Sequence, residues 1–519
     1  MLKPKSKQLS LYSILYSKIP VDHVLKNVDK AVDFSFINKL LEGSYSKQFG
    51  RPAKEPEMMA KLLILQYLYN LSDTKVIEET SLNLAYMWFV GINPDEDLPD
   101  ASLLAKFRTQ RLKDTSVDDI ITEVVRQCVK KDIIKGTGLS MDATHAVANT
   151  GKLVPERIMK RLAKKILKNV EKESGTIPSG INTDIPDYKT IEDHNEAKAT
   201  MKSYLDGVMN EVENKVDISI MPETENAIAE AKEILSDEKF IIQKGVRSLV
   251  DKDARVGYKS KTDSFFGYKI EFAMIPEERI ITAVETCDGA YVDGNKFGEL
   301  YSRSKECGCN IKEFYGDKAY FRKPILDILE GNNVEAIIPV SASVYKIDES
   351  KFSYNKDSDQ WFCSMGNYTI DKKRTKRKKG SWSQEILKYT FDKAMCKDCP
   401  HKVECAGKTA SVKRLDVGIN TLDYYEHSQR AQTQEFKEKY KKRASHEWKN
   451  GEMKHFHGLD RARGYGLKSM SMQAKLTALA VNLKRIAALV SLCFTYFKQI
   501  LLSIKNSSKI MIKKADYAA

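Results

Sequence analysis

Leu139-Ser-Met-Asp-Ala-Thr144 reads as a β-strand, because Leu139, Met141 and Ala143 alternate with Ser140, Asp142 and Thr144 at period two. Asp142 gives the stretch its interest: a carboxylate mid-strand between apolar neighbours is costly to bury unless it is paired, hydrogen-bonded or bound to a cation. Further along the chain, Phe266, Tyr268, Ile270, Phe272 and Met274 form a second alternating run. Pro276-Glu-Glu278 turns the chain, and Ile280 to Thr286 returns it as a hairpin partner. A helix over Asp293 to Ser304 leads to a strand, Ile311 to Tyr315, that ends in Gly316-Asp317. Pro324 then starts a helix that Gly331 stops, and Val334 to Val340 is a fifth strand. Three strands, a helix, a strand, a helix and a strand describe a mixed α/β sheet.

Before this core, residues 1–130 read as helical. One helix follows Pro56 with Leu62, Leu63, Leu65, Tyr67, Leu68 and Tyr69; a second runs from Lys75 to Val90 and stops at Gly91. Leu98-Pro-Asp-Ala-Ser102 opens a third, carrying Phe107, Arg108 and Arg111. Short helices with basic flanks suit a DNA-binding module, although a packing or dimerisation domain has the same pattern. Residues 151–250 interrupt the sheet with a charged helix, Pro155 to Lys172, a Gly/Pro/Ser-rich loop from Ser174 to Pro186, and further helix to Val250.

The whole chain has 519 residues, 42% of them hydrophobic, which calls for several structural units rather than one core. A net charge of +14 favours a polyanionic partner, nucleic acid or an anionic surface. The run Ile486 to Leu502 is broken by Lys498 and is too short to span a bilayer without it. The first residues, Met-Leu-Lys-Pro-Lys-Ser-Lys, lack the apolar stretch of a signal peptide. No membrane association and a cytoplasmic location are therefore expected.

A third acid can be chosen by helical geometry in the segment Tyr440 to Lys454. At about 100° per residue, Arg443, Glu447 and Lys454 all project from the face of Tyr440, whereas Glu438 and Glu452 fall well away from it. One acid among Tyr, Arg and Lys can reach a metal while its neighbours hold phosphates. A solvated charged face has the same periodicity, and Gly451 weakens the register toward Lys454.

The pattern Tyr-x2-Arg-x3-Glu-x6-Lys, present as Tyr440, Arg443, Glu447 and Lys454, resembles the signature of bacterial insertion-sequence transposases of the DDE class. Other pieces resemble that family in order: Met141-Asp-Ala-Thr144, Phe266-Gly-Tyr-Lys269, Tyr315-Gly-Asp-Lys-Ala-Tyr320 and His457-Gly-Leu-Asp-Arg-Ala-Arg463. Upstream, Phe49-Gly-Arg-Pro52 through Arg111 is similar to the helical N-terminal domain of many such proteins. The resemblance covers most of residues 35 to 490. It implies a ribonuclease-H-like core, in agreement with the element order above. It further implies metal-dependent DNA strand cleavage and strand transfer at transposon ends. Asp142, Asp317 and Glu447 would hold two Mg²⁺ or Mn²⁺ ions about 4 Å apart. Tyr440, Arg443 and Lys454 would clamp DNA phosphates. The implied partners are double-stranded DNA, both the inverted-repeat ends and the target, and a second copy of the chain in a synaptic homodimer.

Nine cysteines is an odd count, and Cys396-x2-Cys399-x5-Cys405 has metal-ligand spacing. Cys363 is a candidate fourth thiolate and His401 an alternative; together they suggest structural zinc in a small loop-rich insertion. Between Cys363 and Cys396 lies a run of seven basic residues in eight, Lys372, Lys373, Arg374, Lys376, Arg377, Lys378 and Lys379. So dense a run repels itself and predicts a mobile loop, read as a phosphate-contacting arm.

These readings divide the chain into a helical N-terminal domain (1–130), a core (131–150 and 251–345), a helical insertion (151–250), a Cys-rich basic insertion (346–425), core helices with the third acid (426–490) and a tail (491–519). Within residues 426–490, Ala474 to Val490 reads as an amphipathic helix packed on the core. Two other functions fit the sequence. One is a metal-dependent nuclease or domesticated relative that no longer moves DNA, and the other is a non-catalytic DNA-binding protein.

Overall fold

The computed structural model describes residues 12–46, 53–237, 240, 245–260, 262–379 and 382–516, with the side chains of 114–115, 378–379, 382–384 and 493–516 outside that description. The motif Phe49-Gly-Arg-Pro52 and the side chains of Lys378 and Lys379 thus lie outside the described residues.

The central sheet is built from β1 (Gly138–Val147), β2 (Arg255–Tyr258), β3 (Ser264–Ile275), β4 (Ile280–Asp288), β5 (Glu313–Tyr315) and β6 (Glu335–Ile337). β3 lies between β4 and β1, antiparallel to both. β5 joins β1 in parallel, and β6 joins β5 in parallel. Short β2 pairs with the first residues of β3 and is the one strand of this sheet that the sequence does not announce. The expected hairpin is present, and the two parallel strands are shorter than their apolar runs suggest. The helix expected at Asp293 to Ser304 begins later, at Phe297–Glu306, because Asp293 and Gly294 belong to the turn before it.

The N-terminal helices do not form a separate body. Leu62, Leu63 and Leu65 of Pro56–Leu68 and Val117 and Val124 of Asp114–Lys130 share one core with Phe272 and Met274 of β3. The second expected helix is two, Asp73–Leu82 and Leu84–Val90, divided where the Asn83 side chain accepts from the N–H groups of Ala85 and Tyr86. Ala474 to Val490 lies in a longer helix, Leu467–Asp516, which docks through Leu479, Leu483 and Ile486. Asn482 fixes that docking: its fully buried amide accepts from Ile281 N–H at 2.8 Å and donates to Ile281 O at 2.7 Å. Among the described residues no helix is long and apolar enough to cross a membrane.

Both insertions have cores of their own. In the first, Pro155–Ser174, His194–Lys215 and Pro222–Leu235 pack chiefly on each other through Ile158, Leu162, Met201, Leu205 and Ile228. Its two ends meet, since Leu153 and Arg247 exchange backbone hydrogen bonds. The second insertion holds β7 (Phe352–Asn355) paired with β8 (Gln360–Cys363), and a sheet of β9 (Thr369–Lys379), β10 (Trp382–Phe391) and β11 (Arg414–Gly418) with β10 in the middle. Phe352, Trp361, Tyr389 and Phe391 form its core.

The basic run Lys372 to Lys379 is therefore a strand and not the expected loop. Three of its cations, Lys372, Lys373 and Arg374, have acidic partners. Lys372 pairs with Asp359 at 2.6 Å and lies over the Tyr389 ring, and Arg374 pairs with Glu385 of β10. Backbone pairing with β10 supplies the order that like-charge repulsion alone would forbid.

Candidate active site

β5 accompanies β1 only from Gly138 to Ser140, and the next partner on that side is the bridge at Val147, so between them this side of β1 has no strand beside it. Asp142 stands at that opening, with Phe272 of β3 opposite it on the covered side. Asp317 follows β5 by two residues, and its carboxylate accepts from Ala319 N–H at 2.8 Å to start a short turn, Lys318–Tyr320. The two acids thus sit near the same end of adjacent parallel strands, where open α/β sheets place ligands.

Asp142 is largely buried, and its carboxyl is pushed up to about 6. Burial is the main cause; the charges of Asp317 and Asp293 add to it, while Arg443 opposes. Arg443 donates to Asp142 Oδ2 at 3.1 Å, and its other terminal nitrogen lies 3.8 Å from Glu447 Oε1. The Tyr440 hydroxyl is raised by burial and senses Arg443, Asp317 and Asp142. The structure therefore gathers Asp142, Asp317, Arg443 and Tyr440, with Glu447 attached through Arg443. Glu447 is 73% exposed at its side chain and points into solvent. Among the described residues no three His, Cys, Asp or Glu side chains stand close enough to share a metal ion, and Glu447 lies apart from Asp142 and Asp317.

The segment bearing the third acid is not one regular helix. Gln434–Tyr440 is followed by a tighter turn, Lys441–Ala444, and then by the helix Ser445–His457. The constant rotation assumed from sequence fails across that turn, whereas Gly451 lies inside the last helix without breaking it. Lys454 sits beside His145 of β1, with Nζ 3.4 Å from Nδ1. Its ammonium is pushed down to about 8, first by burial and then by the charge of Lys259.

Several supporting residues escape the sequence reading. Lys442 reaches Glu277 at 3.0 Å and Glu313 at 3.3 Å, and Lys439 reaches Glu335 at 2.7 Å, tying the third-acid segment to β5 and β6. His446 is fully buried against the Phe272 ring. Glu271, also buried, accepts from Tyr320 O–H at 2.5 Å, from Gly294 N–H at 2.8 Å and from Tyr291 O–H. It thereby fixes the turns that follow Asp317 and contain Asp293. An acid inside the apolar run Phe266 to Met274 is the sequence signal for this role.

The four cysteines of the second insertion face one cavity, although no three of them stand close enough to share a metal ion as they lie. Cys363, Cys396, Cys399 and Cys405 line one cavity of about 400 Å³. The Cys405 thiol is raised, chiefly by burial and also by the other three sulfurs, with Lys413 opposing. Asn367 Nδ2 donates to Cys396 Sγ at 3.1 Å. His401 lines the same cavity but is exposed and leans toward Glu404 at 3.7 Å.

Comparison with known proteins adds two family matches. Residues 13–110 match the family described as Transposase domain (DUF772), and residues 362–487 match Transposase DDE domain. The second match contains Tyr440, Arg443, Glu447 and Lys454; Asp142 and Asp317 lie outside both. No curated protein matches the chain. Among solved structures, a piggyBac transposase synaptic complex with hairpin DNA aligns at 10% identity over 92% of this chain and 81% of that one, with a TM-score of 0.27. Two separate segments matching transposase families, one of them of the DDE type, support a DDE-type transposase.

Proposed function

We propose that the chain is the transposase of an insertion sequence, cutting DNA at the element ends and joining them to target DNA, with Asp142, Asp317 and Glu447 as its catalytic acids. The observation that carries this reading is the meeting of Asp142 and Asp317 from adjacent parallel strands, with Arg443 bridging Asp142 and Glu447. The strand order β4-β3-β1-β5-β6, antiparallel on one side of β1 and parallel on the other, supports a ribonuclease-H-like core.

The acids suit Mg²⁺ or Mn²⁺, which prefer hard oxygen donors. Asp142 is buried beside two further carboxylates and holds its proton into the weakly acidic range, an excess of acceptors that a cation would relieve. Such ions supply Lewis-acid stabilisation of charge on the reacting phosphate. The chain's own contribution is placement. Asp142 and Asp317 are fixed by the sheet, and Glu447, exposed beside Arg443, would have to turn inward to join them on a bound cation. Arg443 neutralises Asp142 before cation binding and is then free, with Tyr440 and Lys454, to hold a DNA phosphate. The basic strand β9, with Lys372, Lys373, Arg374, Lys376, Arg377, Lys378 and Lys379, would run along the DNA backbone. Because two ends must be brought together, the active form is read as a homodimer.

Cys363, Cys396, Cys399 and Cys405 are proposed to hold a structural Zn²⁺. Four thiols line one cavity, with an amide donor on one sulfur, and the set suits thiolate ligation once the loops carrying them draw closer, since as they lie no three share a metal position. His401, engaged with Glu404, is the weaker choice.

The test is incubation of the protein with its flanking inverted repeats and Mg²⁺. Broken ends mapping to the element boundary, and their absence with Asp142→Asn, are expected; intact DNA with wild-type protein contradicts the reading.

A further inference from the structure

A cavity of about 1100 Å³ lies away from both the acids and the cysteines. Its walls come from the end of Pro56–Leu68, the residues just after it, the turn around Arg108, and the start of the long helix Leu467–Asp516. Four cations line it: Arg108, Lys113, Arg463 and Lys468. The one acid in the lining, Asp73, is already taken by Arg108, whose Nη1 donates to Oδ1 at 2.9 Å. Arg463 lies over the Tyr67 ring at 4.5 Å and donates to Asn70 Oδ1 at 2.6 Å, so its position is set and its charge is not cancelled. Lys113 and Lys468 are exposed and have no ion-pair partner among the described residues. Three uncompensated cations around a wide concave surface complement a polyanion.

The place of this surface selects the polyanion. The segment leading to Arg463 is bound to the end of β1, where Val147 N–H donates to Asp460 O and Ala462 N–H to Val147 O, each at 2.9 Å. Asp142 lies five residues back on the same strand, about 17 Å at roughly 3.3 Å per residue. The anchor of the Arg463 segment thus lies within the rise of about five base pairs of Asp142, at about 3.4 Å each, close enough for one duplex to reach both regions. We propose that this cavity is a second DNA-backbone site, holding phosphates of the same duplex whose reacting phosphate lies at the acids.

This inference rests on the transposase reading, and a salt titration separates the two. The full-length protein, in EDTA to prevent cleavage, is titrated with a fluorescein-labelled duplex of mixed sequence at several salt concentrations. Lys113→Glu combined with Lys468→Glu is expected to lower affinity about tenfold or more, and to reduce the slope of log Kd against log salt by about two, near 0.9 for each phosphate left without its cation. The pair Lys113→Gln and Lys468→Gln, which carries no new charge, should show the same loss of slope even if the glutamate pair does not fold. A wild-type slope in the glutamine pair, with wild-type protein binding the duplex, overturns this inference alone. Failure of wild-type protein to bind any duplex overturns the transposase reading as well.

Discussion

Asp142 stands out in the sequence because a carboxylate between apolar strand neighbours needs a partner, and its partner is Arg443, whose companion on the next turn is Glu447. Asp142→Asn keeps the shape of the side chain and removes the charge. It is expected to abolish metal-dependent cleavage by on the order of a thousandfold or more while leaving duplex affinity within about twofold. Rates and anisotropy measured on one preparation check both halves. Lys454 carries a pH prediction. Its ammonium is lowered to about 8, so the free protein loses this charge as pH rises through that value, whereas a bound phosphate favours the charged form. DNA affinity should therefore be full below about 8 and weaken above it, and Lys454→Arg should flatten the profile. A wild-type profile that is already flat from pH 7 to about 9 would remove Lys454 from the phosphate contacts. The apolar run marks Glu271 as an acid in need of partners, but the sequence does not say which until the fold brings Tyr291, Gly294 and Tyr320 to it. Glu271→Ala leaves those donors unpaired and is expected to cost about 3 kcal/mol, read from the denaturant midpoint.

Among the elements, those with a plain period are legible. β1 and the first part of β3 carry period-two runs and pair in an unbroken register, whereas the end of β3 and the start of β4 are apolar on both faces and their ladder shifts between Ala273 and Met274. Two elements depart from their sequence reading for physical reasons. A rotation of about 100° per residue cannot be carried through Lys441–Ala444, a tighter turn, so the one-sided row of Tyr440, Arg443, Glu447 and Lys454 overstates the regularity of that segment. Repulsion along Lys372 to Lys379 is offset by residues far from it in sequence, Glu385 on the partner strand and Asp359 from the β7–β8 turn. The cysteine spacing is legible because it is local, and Cys363 at the end of β8 lines the same cavity. If these thiols hold zinc, metal analysis finds about one zinc per chain, and Cys396→Ser lowers both zinc content and the thermal midpoint by several degrees. Zinc-free protein with an unchanged midpoint in Cys396→Ser would refute the assignment.

For the molecule as a whole, the division at residue 130 is a boundary in pattern only, since helices on one side and strands on the other bury a single core. Nothing in a linear pattern reports which apolar faces will meet. The first insertion is the opposite case. Its sequence reads as an interruption, and the structure closes it on itself, with its own core and with Leu153 and Arg247 paired at its base. Replacing residues 154–246 by a short Gly/Ser linker should leave a soluble protein whose sheet and C-terminal helix remain cooperative in thermal unfolding. Aggregation or loss of the cooperative transition would show that the insertion supports the core. The account as a whole turns on cation binding by acids far apart in sequence, and Mn²⁺ makes that visible. Crystals grown with element-end DNA and Mn²⁺ should give an anomalous peak between the carboxylates of Asp142 and Asp317, with Glu447 drawn in from solvent to complete the set; a peak elsewhere, or none at these carboxylates with DNA bound, would contradict it.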